Sequence, residues 1–142
     1  MGTRLKNEIT KPPIVMNKLV ALLALMGLVL SSQEILTIQE AGSQIDQNRD
    51  KSDFLVIVFA EENELQGAFG RIVKNFRSVV PQFPQIRFHM CFESVPYSMR
   101  QRYFLHYYTL PKVKLFRGPE HSTYYGGSSP KNIEAWLRRW IK

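Results

Sequence analysis

The stretch Phe54-Leu-Val-Ile-Val-Phe59 decides the fold that this sequence predicts. All six side chains are apolar, and three of them are β-branched. Such a run is typical of a strand that is buried on both faces of a sheet. Polar residues from Asp50 to Asp53 precede it, and Ala60 and Glu61 follow it. We therefore predict the central strand of an α/β sheet at this position.

The segments around this strand alternate between strand-like and helix-like patterns. The spacing of Phe69, Val73 and Phe76 indicates a helix, which Pro81 ends. The full set of predicted elements is strand 35–38, helix 39–49, strand 54–59, helix 65–80, strand 86–92, helix 96–107, a hairpin of strands 113–116 and 122–125, and helix 130–141. This βαβαβαββα order predicts a three-layer α/β sandwich whose central mixed sheet ends in an antiparallel hairpin.

The length of 142 residues, of which 44% are hydrophobic, suits one ordinary core and one globular domain. The net charge is +7, and residues 1–31 supply +3 of it through four cations and one acid. Further cations lie in the predicted helices, where they are typical of solvated helix faces: Arg100, Arg102, Arg138, Arg139 and Lys142. Together with the secretory segment described next, this pattern argues against a nucleic-acid partner.

An uninterrupted apolar run extends from Leu19 to Leu30, with Lys18 before it and Ser31 after it. Its length fits the apolar region of a signal peptide, about 7 to 15 residues, better than a membrane helix, which needs about 20. We predict a signal peptide with an N-terminal extension over residues 1–31 and the folded domain over 32–142. The alternative is an uncleaved membrane anchor formed by residues 14–30, in which case the protein is membrane-associated.

Cys91 is the single cysteine of the chain, so no intrachain disulfide can form. The thiol is therefore buried, free, or paired with another chain. In a strand it is typical of a small buried hydrophobic residue. His89 would share its face and could lower the pKa of the thiol, which leaves a monothiol redox protein as an alternative. The histidines show no metal-ligand spacing with Cys91, so we expect no zinc and no other cofactor.

Several sequence features occur in the order in which one protein family has them. The apolar strand at 54–59 is followed by a helix, Leu110-Pro111 precedes the strand beginning at Lys112, and an amphipathic helix closes the chain. From Ile35 to Lys142 the sequence resembles a thioredoxin-fold domain of the protein disulfide isomerase type. It departs from that family at Asn63 and Gln66, which stand at the two positions of the redox cysteines.

The loss of both cysteines removes dithiol exchange, which needs a low-pKa thiolate and a second, resolving thiol. Asn63 and Gln66 instead have the three-residue spacing of a capping box, in which each side chain binds the backbone N–H of the other. Glu61, Glu62 and Glu64 lie at the same predicted helix start, where acids are favourable. A helix start stabilised by hydrogen bonds is therefore predicted at the former redox site.

The resemblance also implies a peptide groove. It makes Pro111 a cis-proline, with Leu110 before it and Lys112 where the family usually has threonine. The groove would be formed by these three residues together with Glu61 and Glu62, and an ion pair between the acids and Lys112 is expected across it. In the family, the backbone beside this proline pairs with extended polypeptide like an added strand, which requires no cysteine.

The sequence therefore predicts a redox-inactive thioredoxin-like domain of the secretory pathway, in the lumen of the endoplasmic reticulum or secreted. Its expected partner is an extended or unfolded polypeptide client. Two alternatives remain open. The chain is a non-catalytic accessory subunit of a membrane-associated, mitochondrial complex, or it is a monothiol redox protein that uses Cys91.

Overall fold

The computed structural model describes residues 34–103 and 112–141, and the strands in these ranges form one five-stranded mixed sheet. In chain order the elements are β1 (Ile35–Leu36), α1 (Ile38–Asn48), β2 (Phe54–Phe59), a 3₁₀ helix (Glu62–Gln66), α2 (Ala68–Val79), a 3₁₀ turn (Val80–Gln82), β3 (Ile86–Cys91), α3 (Tyr97–Arg102), β4 (Lys112–Arg117), β5 (Glu120–Thr123) and α4 (Pro130–Trp140). The predicted βαβαβαββα order and the α/β class are both confirmed.

The strand order in the sheet is β1-β3-β2-β4-β5, which puts β2 in the middle. β2 runs parallel to β3 and antiparallel to β4. Its residues from Leu55 to Phe59 are almost completely buried, because helices cover the sheet on both sides. The prediction of a central strand at residues 54–59 is therefore confirmed.

The register of β2 assigns its neighbours to the two faces of the sheet. Phe59 lies between Cys91 on β3 and Lys112 on β4, and Ile57 lies between His89 and Lys114. Directly paired residues project from the same face. Phe59 and Ile57 pack in the hydrophobic cluster that contains residues of α1. Lys112 and Lys114 consequently project from this α1-facing side of the sheet.

Helix α1 begins earlier than the sequence predicted. The Oγ1 of Thr37 accepts a hydrogen bond from the N–H of Glu40 at 3.1 Å, and Glu40 Oε1 accepts one from the N–H of Thr37 at 2.9 Å. This capping box ends β1 at Leu36, because the N-cap residue turns the chain into the helix. Ala41 and Ile45 of α1 are buried.

The opposite face of the sheet is covered by α2 and α4 through aromatic contacts. The ring of Phe76 meets those of Tyr124 and Trp136 edge-on, with centroids 5.0 and 5.9 Å apart. Ile133 and Leu137 of α4 are completely buried beside Trp136. The predicted apolar stripe of the last helix is therefore its core face.

The hairpin turn is tighter than predicted. Arg117 pairs with Glu120, so the turn has only Gly118 and Pro119 at its centre. Gly118 has a φ of +56°, a conformation that side chains rarely adopt. The tight turn shifts the second strand of the hairpin to residues 120–123, two residues before the predicted 122–125.

Helix α3 ends at Arg102, and the remainder of the predicted helix, to residue 107, lies outside the described residues. The predicted signal segment at residues 1–31 also lies outside them. Across residues 34–103 and 112–141, no helix is long and apolar enough to cross a membrane.

Candidate functional site

The segment that joins β2 to α2 lies at the end of the central strand. The N–H of buried Ala60 donates to the carbonyl of Cys91 at 3.2 Å, so the β2–β3 pairing continues past Phe59. A 3₁₀ helix follows at residues 62–66, and α2 begins only at Ala68. Asn63 and Gln66, the two positions that the resemblance equates with the redox cysteines, therefore lie in the 3₁₀ helix and not in the first turn of α2.

The predicted capping by Asn63 and Gln66 is wrong. The capping pair is Glu61 and Glu64: Glu64 Oε1 accepts from the N–H of Glu61 at 2.7 Å. Leu65 is completely buried and sets the phase of the turn, which leaves Asn63 and Gln66 exposed. A carboxylate is also a stronger acceptor than an amide. The two capping residues are three positions apart, as predicted, but the pair begins at Glu61 and not at Asn63.

The expected ion pair between the acidic loop and Lys112 is also wrong. Lys112 is paired with Phe59 and projects from the α1-facing side of the sheet, where only 4% of it is exposed. Neither Glu61 nor Glu62 forms a salt bridge with it. Burial lowers the pKa of Lys112, with no carboxylate acting in the opposite direction. The strand register, which the sequence alone does not specify, separates the amine from the acids.

The rest of the predicted groove is only partly within the described ranges. Leu110 and Pro111 lie outside them. The cis-proline and the peptide-pairing backbone beside it therefore stay predictions. Glu61 is exposed and Glu62 is half-buried at the end of β2, which is the side of the predicted groove that the structure describes.

Cys91 is completely buried among apolar residues that include Phe59, Leu36 and Val95. Burial raises the pKa of the thiol to about 11; a hydrogen bond with the backbone of Glu93 opposes this increase, and the negative charges of Glu93 and Glu40 add to it. His89 lies two residues away on the same face, yet the expected lowering of the thiol pKa is wrong because desolvation dominates. The cysteine is thus a core residue, which was the first interpretation of its sequence position.

The sequence did not reveal a group of polar residues around Lys114. This lysine is 2% exposed, and its Nζ donates to Thr123 Oγ1 at 2.9 Å and lies 3.0 Å from His121 Nδ1. Lys112 and Lys114 alternate with Val113 and Leu115, a pattern that ordinarily indicates a solvated strand face. Lysine is seldom buried, so only the covering layer of the structure identifies this group.

A groove of about 620 Å³ follows the outer strand of the sheet. It is lined by residues of β5 and the chain after it, including His121, Thr123 and Tyr124, and by Trp136 and Arg139 of α4. Within the described ranges, no group of three or more His, Cys, Asp or Glu residues is arranged to hold a metal.

Several solved structures have a fold similar to that of this chain. Thioredoxin O2 from Arabidopsis thaliana aligns with 80% of this chain over its own full length, with a TM-score of 0.60 and 13% identity. The fold is thioredoxin-like. A structure of human ERp44 aligns with 78% of this chain and 30% of its own, with a TM-score of 0.55 and 21% identity. The J-Trx1 fragment of ERdj5 aligns with 76% of this chain and 50% of its own, with a TM-score of 0.56 and 13% identity.

The sequence itself matches no protein-family model and no curated protein. At these identities the structural likeness concerns the fold. Plant thioredoxins and domains of the protein disulfide isomerase family, ERp44 and ERdj5, are both among the similar structures.

Proposed function

We propose that this chain is a redox-inactive thioredoxin-like domain of the secretory pathway that binds extended or unfolded polypeptide. The observation that carries the proposal is the exposure of two amides, Asn63 and Gln66, in a thioredoxin-like fold, at the positions that the resemblance equates with the redox cysteines. The chain has a single cysteine, which lies elsewhere.

The properties of the single thiol, that of Cys91, support the proposed lack of dithiol chemistry. A nucleophilic cysteine is a thiolate near neutral pH and reaches its substrate from solvent. Cys91 is completely buried, and its pKa is raised to about 11. It also has no second cysteine in the chain to resolve a mixed disulfide. These properties oppose both a dithiol cycle and the monothiol alternative.

Peptide binding is supported by the arrangement of the acidic residues at the end of β2. No ion pair joins Glu61 or Glu62 to Lys112, so no such pair bridges the predicted groove. Binding by strand addition relies on backbone hydrogen bonds beside Pro111 and is compatible with the loss of both redox cysteines.

The secretory setting is supported by the predicted signal peptide at residues 1–31 and by the fold shared with domains of ERp44 and ERdj5. The structural alignment with ERp44 covers 30% of that protein. The proposal therefore concerns one domain and its binding role. Sequencing the N-terminus of the protein isolated from its native cells tests the setting: a start near Ser32 supports it, and an intact Met1 or Met16 contradicts it.

The redox part is tested by insulin reduction in the presence of dithiothreitol. We expect no turnover above the uncatalysed rate from the parent protein. The variant Asn63→Cys/Gln66→Cys is the matched positive variant, because side chains three residues apart eclipse each other in a 3₁₀ helix. Reduction of insulin by the parent protein well above the uncatalysed rate contradicts redox inactivity.

The binding part is tested by titrating a fluorescent unfolded peptide that is acetylated, amidated and free of Asp and Glu. We expect saturable binding that Pro111→Ala weakens, because this change alters the backbone that pairs with the peptide. Pro84→Ala, at an exposed position after the 3₁₀ turn at residues 80–82, is the control and should bind as the parent does. Undetectable binding by the parent protein contradicts the peptide groove and favours the accessory-subunit alternative.

A further inference from the structure

Two amines and two neutral polar groups lie together on the α1-facing side of the β4–β5 hairpin. Lys112 and Lys114 stand two residues apart on β4, and Thr123 is paired with Lys114 on β5. His121 is paired with Phe116 and projects from the same face. We call Lys112, Lys114, His121 and Thr123 the amine cluster.

Among the residues that the structure describes, only neutral groups hold the amine of Lys114. Its Nζ donates to the Thr123 hydroxyl at 2.9 Å, lies 3.0 Å from His121 Nδ1, and lies 6.0 Å from the centre of the Phe116 ring. Lys112 forms no hydrogen bond or ion pair with any residue in the described part of the chain. Both lysines are more than nine-tenths buried.

The cluster has no counter-charge within residues 34–103 and 112–141. The carboxylates that form salt bridges there, those of Glu34, Asp46 and Glu134, are all paired with arginines. Burial, followed by the positive charge of Lys112, lowers the pKa of Lys114 to about 8. Two ammonium groups of like charge in a poorly solvated place are costly unless an anion accompanies them.

We propose that the amine cluster binds an oxyanion, the phosphate or carboxylate group of a small molecule, between the side chains of Lys112 and Lys114. An ammonium is a compact charge with three donors, which suits phosphate and carboxylate oxygens. The oxyanion supplies the missing negative charge and accepts hydrogen bonds from Lys112, which has no partner among the described residues. Thr123 and His121 keep the Lys114 amine directed into the site.

The cluster is close to solvent along the edge of the sheet. His121 and Thr123 are half-buried, and both line the groove of about 620 Å³ beside β5. Arg139 of α4 lines the same groove and adds positive charge along it. An anion is thus attracted to the edge at which the two partners of Lys114 lie. This inference is independent of peptide binding.

The test is a titration of the ¹⁵N-labelled protein with inorganic phosphate at constant ionic strength, followed by backbone amide shifts. We expect saturable shifts concentrated at residues 112–114 and 121–123. Lys112→Met and Lys114→Met should each weaken binding by about tenfold or more, the effect of removing one charge-assisted hydrogen bond. Lys74→Met, which removes an exposed lysine from α2, should bind as the parent does.

Both methionine variants remove a buried charge while keeping an apolar chain of similar length, and an unfolding curve for each verifies that it folds. If one variant does not fold, anion binding by the other variant tests the proposal. Parallel titrations with methyl phosphate and with acetate identify which oxyanion is preferred. Three results overturn the proposal: shifts that do not saturate with any of the three anions, shifts located elsewhere, or equal binding by the parent and a folded methionine variant.

Discussion

At the scale of single residues, the buried amine of Lys114 and the buried thiol of Cys91 respond to pH in opposite ways. Both groups are desolvated, and desolvation opposes the charged form. The pKa of the amine therefore falls to about 8, while that of the thiol rises to about 11. The free energy of unfolding consequently depends on pH in the alkaline range.

The first prediction concerns Lys114. Its pKa is about 8 in the folded state and 10.5 in the unfolded chain, so the unfolded state binds more protons between these values. Stability therefore rises with pH through this window, and the charge penalty is fully present below pH 8. Relative to Lys114→Met, the parent should gain about 1 kcal/mol between pH 7 and pH 9. Urea unfolding of both proteins at these pH values measures it, and an unchanged difference contradicts the assignment.

The second prediction concerns Cys91. Its raised pKa leaves about a hundredfold less thiolate at pH 8 than an ordinary thiol of pKa 9 has, and burial denies the reagent access. We expect Ellman's reagent to modify the native protein at least about a hundredfold more slowly than the urea-unfolded protein. Rapid modification of the native protein would restore the monothiol alternative.

At the scale of elements, the 3₁₀ helix at residues 62–66 replaces the start of the α-helix that the sequence predicted. Glu64 Oε1 accepts a hydrogen bond from the N–H of Glu61 at the start of this turn, and the buried side chain of Leu65 packs the turn against the core. The exposed Asn63 and Gln66 contribute no such contact. The turn is therefore stabilised by Glu64 and Leu65 and not by the side chains of Asn63 and Gln66.

The third prediction compares two substitutions in this turn. Glu64→Ala removes the capping acceptor and should cost about 0.5 to 1 kcal/mol of stability. Asn63→Ala should change stability by less than about 0.5 kcal/mol, since its side chain is exposed. Chemical denaturation of the two variants and the parent measures the loss of stability that each substitution causes. A larger loss for Asn63→Ala would support the capping that the sequence predicted.

At the scale of the whole molecule, Asn48 connects α1 to three other segments, two of which are distant in the sequence. It is completely buried at the end of α1. Its Nδ2 donates to the carbonyl of Asp53 before β2 at 3.1 Å and to that of Phe116 on β4 at 3.4 Å. Its Oδ1 accepts from Arg87 Nη2 on β3 at 2.9 Å. One amide thus joins α1 to β3, to β4 and to the segment before β2 in a chain that has no intrachain disulfide.

The fourth prediction is that Asn48→Ala destabilises the domain by about 2 kcal/mol or more, because it leaves a half-buried guanidinium donor and two backbone carbonyls without this partner. Gln44→Ala is the control: Gln44 accepts from the same guanidinium at 2.6 Å but is half-exposed, so water can replace it. Its loss should be less than about 1 kcal/mol. Similar unfolding midpoints for the two variants would contradict the connecting role of Asn48.

The sequence by itself determined the order of the elements and the class of the fold. Local patterns carry this information: a continuous apolar run for the strand at 54–59, and helical spacing for the stripe of Ile133, Trp136 and Leu137. Such patterns reflect whether a segment has one buried face or two, and each is visible within a short window. The absence of a second cysteine is likewise a property of the sequence.

Only the tertiary structure decided where the polar residues of the candidate sites lie. The alternation of Lys112 and Lys114 with apolar residues is the same whether a strand face is solvated or covered. The covering depends on how other segments of the chain pack against the sheet. The capping by Glu61 and Glu64 likewise depends on the burial of Leu65, which sets the phase of the turn. Burial and pairing across the sheet are non-local properties, and they determine which charges meet.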